Sequence, residues 1–162
     1  MVLEVNDVSV RVTNVMGSAF MGEDVNSPYY SVITLLSEEE PVTIHIVDFH
    51  AEATGEKQAL AFALDGKVSA VLGTHTHVQT NDAHILPKGT AFISDVGMTG
   101  YADGVLGSTS ETVVNKRIYG QQSKFQTPDE GRGLFSAVVI DIDDISGLAK
   151  QIFPIYYIEN EN

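Results

Sequence analysis

The sequence predicts one α/β domain spanning residues 1–162. Two runs, 41–49 and 68–72, carry apolar residues on both faces, the pattern of strands covered from both sides. Between them, 56–64 reads as a short helix closed by Asp65-Gly66. Strand, helix and strand within roughly 30 residues form a βαβ unit, with parallel strands and a right-handed crossover. The length and an apolar content of 43 % are enough for one domain with a real core.

The elements follow in order. Residues 1–21 read as strand: Val8, Val10 and Val12 alternate with Ser9, Arg11 and Thr13, the mark of a half-buried strand with the polar set outward. Gly22-Glu23-Asp24 reads as a turn. Ser27-Pro28 starts a helix, with Ser27 as N-cap and Pro28 in the first turn. Its apolar stripe is Tyr29, Val32, Ile33 and Leu36. The acidic run 38–40 and Pro41 end it. After the βαβ unit, 85–90 reads as a hairpin turn leading into a strand at 91–94. Ser108-Thr109-Ser110-Glu111 has the form of a capping box, opening a helix with Val113, Val114 and Ile118 inward. Residues 121–132 are polar and read as a mobile loop. The runs 135–140 and 152–158 are expected to pair antiparallel around 141–147.

Composition narrows the function classes. There is no cysteine, which excludes disulfides and thiolate metal sites and leaves His, Asp, Glu and Asn as ligands. The formal net charge of −13 argues against a partner made of duplex nucleic acid. It would also repel a phosphate substrate unless bound divalent cations reversed the local field. For most of the 22 carboxylates, solubility is a sufficient explanation. No apolar run is long enough to span a bilayer and no basic-then-apolar segment opens the chain, so a cytoplasmic protein with no membrane partner is expected.

Three histidines organise the chemistry. His50 ends the first buried strand; His75 and His77 follow the second, in Gly73-Thr74-His75-Thr76-His77. Ligands of open α/β sheets collect at the carboxyl ends of strands, and two strands of one βαβ unit end together. In an extended segment His75 and His77 would face the same way, about 6–7 Å apart, so all three are expected to converge on metal. The ligands do not choose among zinc, iron, nickel and manganese. His45 lies mid-strand and reads as a packed core histidine; His84 reads as exposed. Asp48 and Glu52 flank His50 and are weaker candidates, either as carboxylates supporting the imidazoles or as solvated side chains. Ser94 and Asp95 open a Gly-rich loop that either borders substrate or is a turn requiring positive φ. Thr74 and Thr76 read as packing residues. No catalytic residue is identifiable.

Several words around these histidines carry a resemblance. Val47-Asp48-Phe49-His50-Ala51-Glu52-Ala53-Thr54, Glu56-Lys57-Gln58, Asp65-Gly66-Lys67-Val68-Ser69-Ala70-Val71, Gly73-Thr74-His75-Thr76-His77-Val78-Gln79-Thr80 and Ser94-Asp95-Val96-Gly97-Met98-Thr99-Gly100 closely resemble the YmdB-like bacterial metallophosphoesterases of the calcineurin-like superfamily. The match runs from about 42 to 116. The resemblance implies a layered α/β sandwich of the metallo-dependent phosphatase type, with two metal ions (Fe, Mn or Zn) and phosphodiester hydrolysis, 2′,3′-cyclic nucleotides included. It places His50 and His75 on one metal and His77 on the other. It also implies an N-terminal half bearing an Asp, a bridging carboxylate, an Asn and a catalytic His, and nothing before His50 matches that half.

The chain is therefore expected to be the C-terminal part of such a fold, incomplete at its N-terminal side, holding two metals, one or none. Apolar strand faces left uncovered would be buried by self-association, so a homo-oligomer is expected. The alternative to a metal-dependent phosphoesterase is a truncated, non-catalytic metal-binding remnant, or a subunit of a split enzyme.

Overall fold

The βαβ unit forms the centre of the fold. A computed structural model describes residues 1–22 and 25–160; Glu23 and Asp24 of the expected turn lie outside the described residues. Strands β3 (Ile44–His50) and β4 (Ala70–Thr74) are neighbouring parallel strands joined by helix α2 (Thr54–Leu64). They belong to a six-stranded sheet that also contains β1 (Val2–Val5), β2 (Val8–Met16), β5 (His84–Ile85) and β6 (Ala91–Ile93), in the order β1-β2-β3-β4-β6-β5. The inner four strands are parallel; β1 and β5 close the edges antiparallel. Asn6 and Asp7, both at positive φ, turn β1 into β2, as two-residue hairpins require.

A second sheet holds β7 (Gly100–Tyr101), β8 (Gly133–Ile142) and β9 (Ala149–Ile158), with β8 and β9 antiparallel as expected. Helix α1 (Pro28–Glu38) lies against the large sheet, and helix α3 (Ser110–Arg117) follows β7.

Two cores hold these layers together. Val47 and Phe49 of β3, Val71 of β4 and Phe92 of β6 pack with Val32 of α1 and Leu60 and Leu64 of α2. The expected stripe of α1 supplies Tyr29, Ile33 and Leu36 to the same core. On the sheet's other face Ala70, Ala91 and Ala149 pack with Ile46, Leu72, Ile140 and Ile152, joining the two sheets. Period-2 alternation thus sends odd residues of β3 toward the helices and even ones toward the second sheet. Asp48 and His50 share the even face.

Four local expectations are corrected. Arg11 is 4 % exposed rather than outward, because β2 is an inner strand and its polar face is covered as well; its Nη2 donates to the Glu40 carbonyl at 2.7 Å. Ser27 precedes α1, yet its side chain makes no capping bond. The capping box at 108–111 does not form: α3 begins at Ser110 with Thr109 as N-cap, and Thr109 Oγ1 pairs with Thr112 Oγ1 at 2.9 Å instead. Ile118, expected inward, is 72 % exposed because α3 ends at Arg117. His45 is buried and His84 exposed, both as expected.

The outer face of β8 and β9 is apolar and open. Phe135 pairs with Tyr157 and Val139 with Phe153, and all four side chains are exposed.

Candidate functional site

His50 and Thr74 are cross-strand partners at the carboxyl ends of β3 and β4, so the segment carrying His75 leaves the sheet beside His50. Thr74 Oγ1 donates to Asp48 Oδ1 at 2.9 Å and lies 3.2 Å from His50 Nδ1. A carboxylate only accepts, so the threonine's single hydrogen is committed to Asp48. Its lone pair is then left for an N–H on His50 Nδ1. That assignment leaves His50 Nε2 as the nitrogen with a free lone pair. Asn14 Nδ2 donates to the other oxygen of Asp48 at 2.8 Å and fixes the carboxylate.

His50 Nε2 faces His75 Nδ1 at 3.1 Å, and the rings meet edge to face with centroids 4.9 Å apart. On the far side of the His75 ring, Nε2 lies 2.9 Å from Glu52 Oε2. The result is a line of pairwise contacts from Asn14 through Asp48, Thr74, His50 and His75 to Glu52. Among the described residues, no group of three His, Asp or Glu side chains is arranged to hold an ion as it stands. Glu52 and His50 engage opposite nitrogens of His75, so they do not surround one point.

The donor pair itself suits a metal. Two nitrogens each about 2.0–2.1 Å from a shared cation can be at most about 4 Å apart, and the observed separation lies within that limit. The His50 ring is held from behind by a hydroxyl and a carboxylate, the support that ligating imidazoles ordinarily have. His50 and His75 fit a cation of the imidazole-binding class, and Glu52 is the carboxylate nearest the pair.

His77 stands apart. His75 and His77 both have positive φ, 114° and 67°, so the segment is turned rather than extended and the shared-side rule does not govern it. His77 is exposed and borders a separate cavity of about 180 Å³ with Gln79, Met98 and Tyr156. The structure brings together His50, His75, Asp48 and Glu52 and leaves His77 on the rim.

Ser94 and Asp95 lie beneath the histidine loop, both buried. Asp95 Oδ2 accepts the Thr76 backbone N–H at 2.9 Å and the Lys57 ammonium at 3.0 Å, while Oδ1 accepts the Gly97 N–H at 2.9 Å. Burial alone would raise the Asp95 carboxyl, but those N–H donors and Lys57 outweigh it and hold the group below the usual carboxylate range. Ser94 donates its hydroxyl to Asp82. Gly73 admits this close packing, since a Cβ there would run into the Ser94 carbonyl.

Sequence reasoning misses Thr74 and Lys57. Thr74 ends β4 as the register partner of His50 and so shares its face; the extended reading set it opposite the histidines, and the turn at His75 brings His75 to the same side. Lys57 has a legible signal: with Leu60, Ala61 and Leu64 it follows the i, i+3, i+4, i+7 spacing of the buried stripe of α2. A lysine on such a stripe demands a buried acidic partner.

A family model described as YmdB-like protein matches residues 1–155. The chain is 46 % identical over 151 residues to the 2′,3′-cyclic-nucleotide 2′-phosphodiesterase of Bacillus subtilis, covering 93 % of this chain and 56 % of that protein. A crystal structure of a hypothetical protein from Thermus thermophilus superposes with a TM-score of 0.89 at 40 % identity, over 99 % of this chain and 62 % of the other. A second, described as a novel phosphatase from Mycoplasma pneumoniae, superposes at 0.86 with 32 % identity, over 99 % and 57 %. The chain spans about half the length of the curated relatives it matches. No helix among the described residues is long and apolar enough to cross a membrane.

Proposed function

The chain belongs to the YmdB-like protein family, and from that premise we propose that it serves metal-dependent hydrolysis of a small phosphoester, of which a 2′,3′-cyclic nucleotide is the leading case. The observation that carries the reading is the approach of His50 Nε2 to His75 Nδ1, with Thr74 and Asp48 orienting the first ring. Bound divalent metal would supply a hydroxide near neutral pH and positive charge against the phosphate oxygens. His50 and His75 would hold it, Asp48 and Thr74 would fix the His50 ring, and Glu52 would either orient His75 or turn to join the ligands. His77, on the exposed rim, is the residue left for a second ion. Iron, manganese and zinc all suit these donors.

The test uses the purified chain, stripped and reloaded with each of the three metals. The expected result is bound metal and metal-dependent cleavage of bis-p-nitrophenyl phosphate and of a 2′,3′-cyclic nucleotide, both lost in His75→Ala. Failure of the chain to retain any of the three metals would overturn the reading.

A second reading has its own observation. His50 and Glu52 both engage His75, on opposite ring nitrogens, while His77 borders a different cavity. A single ion on the His50–His75 pair, with His77 left out, would suit a binding module or split-enzyme subunit. Stoichiometric metal without turnover under any of the three loadings would select it.

Self-association belongs to the same proposal. The row of Phe135, Val139, Phe153 and Tyr157 is uncharged and open, and a second copy would cover it by a two-fold contact.

A further inference from the structure

Among the described residues Arg11 has no counter-ion. Its side chain is 4 % exposed, it makes no ion pair with a carboxylate of the described residues, and its hydrogen bond goes from Nη2 to the Glu40 carbonyl. A guanidinium carries five N–H groups and is always charged, and a buried unpaired charge is costly. The cost is notable in a chain with 22 carboxylates and nine basic residues.

Arg11 lines a cavity of about 180 Å³ with Thr43, His45, Lys67 and Ser69. Two of its other groups, Ser69 and His45, also have open hydrogen-bonding positions. Ser69 Oγ accepts the His45 backbone N–H at 3.0 Å, and its own hydrogen is uncommitted. His45, 3 % exposed, has its Nε2 against Thr13 Oγ1 at 3.0 Å, while Nδ1 is buried with no partner among the described residues. Lys67 also lines the cavity, but its Nζ donates to the Ala63 carbonyl at 2.7 Å and lies 5.7 Å from the Tyr29 ring centre; among the described residues no carboxylate lines the cavity. The turn between β8 and β9 closes one wall, and Gly147 permits it, since a Cβ there would strike the Thr43 carbonyl.

We infer that this cavity is a binding site for a small oxyanion, a phosphate or carboxylate group anchored on Arg11 and received by the Ser69 hydroxyl. It is separate from the histidine pair: His45 and His50 are five residues apart on β3, about 16 Å along an extended strand. An anion there would touch the entrances of β3 and β4, whose other ends carry His50 and His75. The inference is independent of the proposed hydrolysis.

The test is made on the metal-free full chain in a buffer without phosphate or carboxylate. Inorganic phosphate and malonate are titrated separately, with ¹⁵N signals of Arg11 Nε and the His45 ring followed together with the thermal midpoint. Saturable shifts of both signals and a rise in the midpoint are expected with at least one anion. Arg11→Gln should weaken that binding roughly tenfold or more, the loss of a charge-assisted contact. His75→Ala should leave it unchanged. A response to phosphate alone selects tetrahedral anions; a response to malonate extends the site to carboxylates. Absence of any saturable shift at Arg11 in the unmodified chain would overturn the inference even if Arg11→Gln proves unstable. So would a response that survives Arg11→Gln or disappears in His75→Ala.

Discussion

Thr74 Oγ1 lies 3.2 Å from His50 Nδ1, and its hydrogen is committed to Asp48. This contact selects which nitrogen of His50 faces His75. Replacing Thr74 by valine preserves shape and removes the acceptor, so the ring is free to flip or change tautomer. Zinc affinity is expected to fall about 10–100-fold, measured by calorimetric titration of the stripped chain. Unchanged affinity in Thr74→Val would mean that the threonine only packs.

Lys57 and Asp95 form an ion pair with 2 % and 1 % of their side chains exposed. Removing one partner strands the other charge in the core. Lys57→Met is expected to cost about 3–5 kcal/mol in urea unfolding. Adding Asp95→Asn to Lys57→Met should recover part of that loss, because no uncompensated charge remains. The same pair anchors the Thr76 N–H, so the double variant should still bind metal less tightly than the unmodified chain. A double variant no more stable than Lys57→Met would contradict the ion-pair account.

What is legible in the sequence depends on periodicity. The runs 41–49 and 68–72 show two covered faces, and β3 and β4 are inner parallel strands. The stripe of α1 is legible for the same reason. Boundaries set by side-chain chemistry are less secure: Ser27 and Ser108 have capping residue types, but their hydroxyls do not cap. The pairing of His50 with His75 follows from strand ends meeting. The departure of His77 does not, because two positive φ values at His75 and His77 are a product of tertiary packing on Asp95 and Gly73. Arg11 escapes the pattern because alternation identifies two faces without saying whether the polar one is covered.

The open row on β8 and β9 makes a separate prediction. Charging its middle with Val139→Lys and Phe153→Glu, one at a time, is expected to shift sedimentation from the oligomer toward the monomer. Neither side chain lies in the buried cores, so folding should be retained. An unmodified chain that sediments as a monomer at all concentrations would remove self-association from the proposal.

His45 couples the stability of the fold to pH. Burial first, and the nearby Arg11 charge second, lower its pKa from 6.5 to about 4. The unfolded chain therefore binds a proton at this residue between those values when the folded chain does not. Stability rises with pH wherever the unfolded state binds more protons, so His45 makes stability fall as pH drops from 6.5 to about 4 and adds no further slope below that. The span corresponds to on the order of 3 kcal/mol. Replacing His45 by Gln keeps a polar side chain near Thr13 and removes the titration. Urea midpoints measured across this range should decline steeply in the unmodified chain and less steeply in His45→Gln. Equal slopes would show that other groups govern acid unfolding. An oxyanion on Arg11 would offset the positive charge beside His45 and raise its folded pKa toward the unfolded value. Added phosphate is therefore expected to end the decline at a higher pH and make it shallower, a change absent in Arg11→Gln.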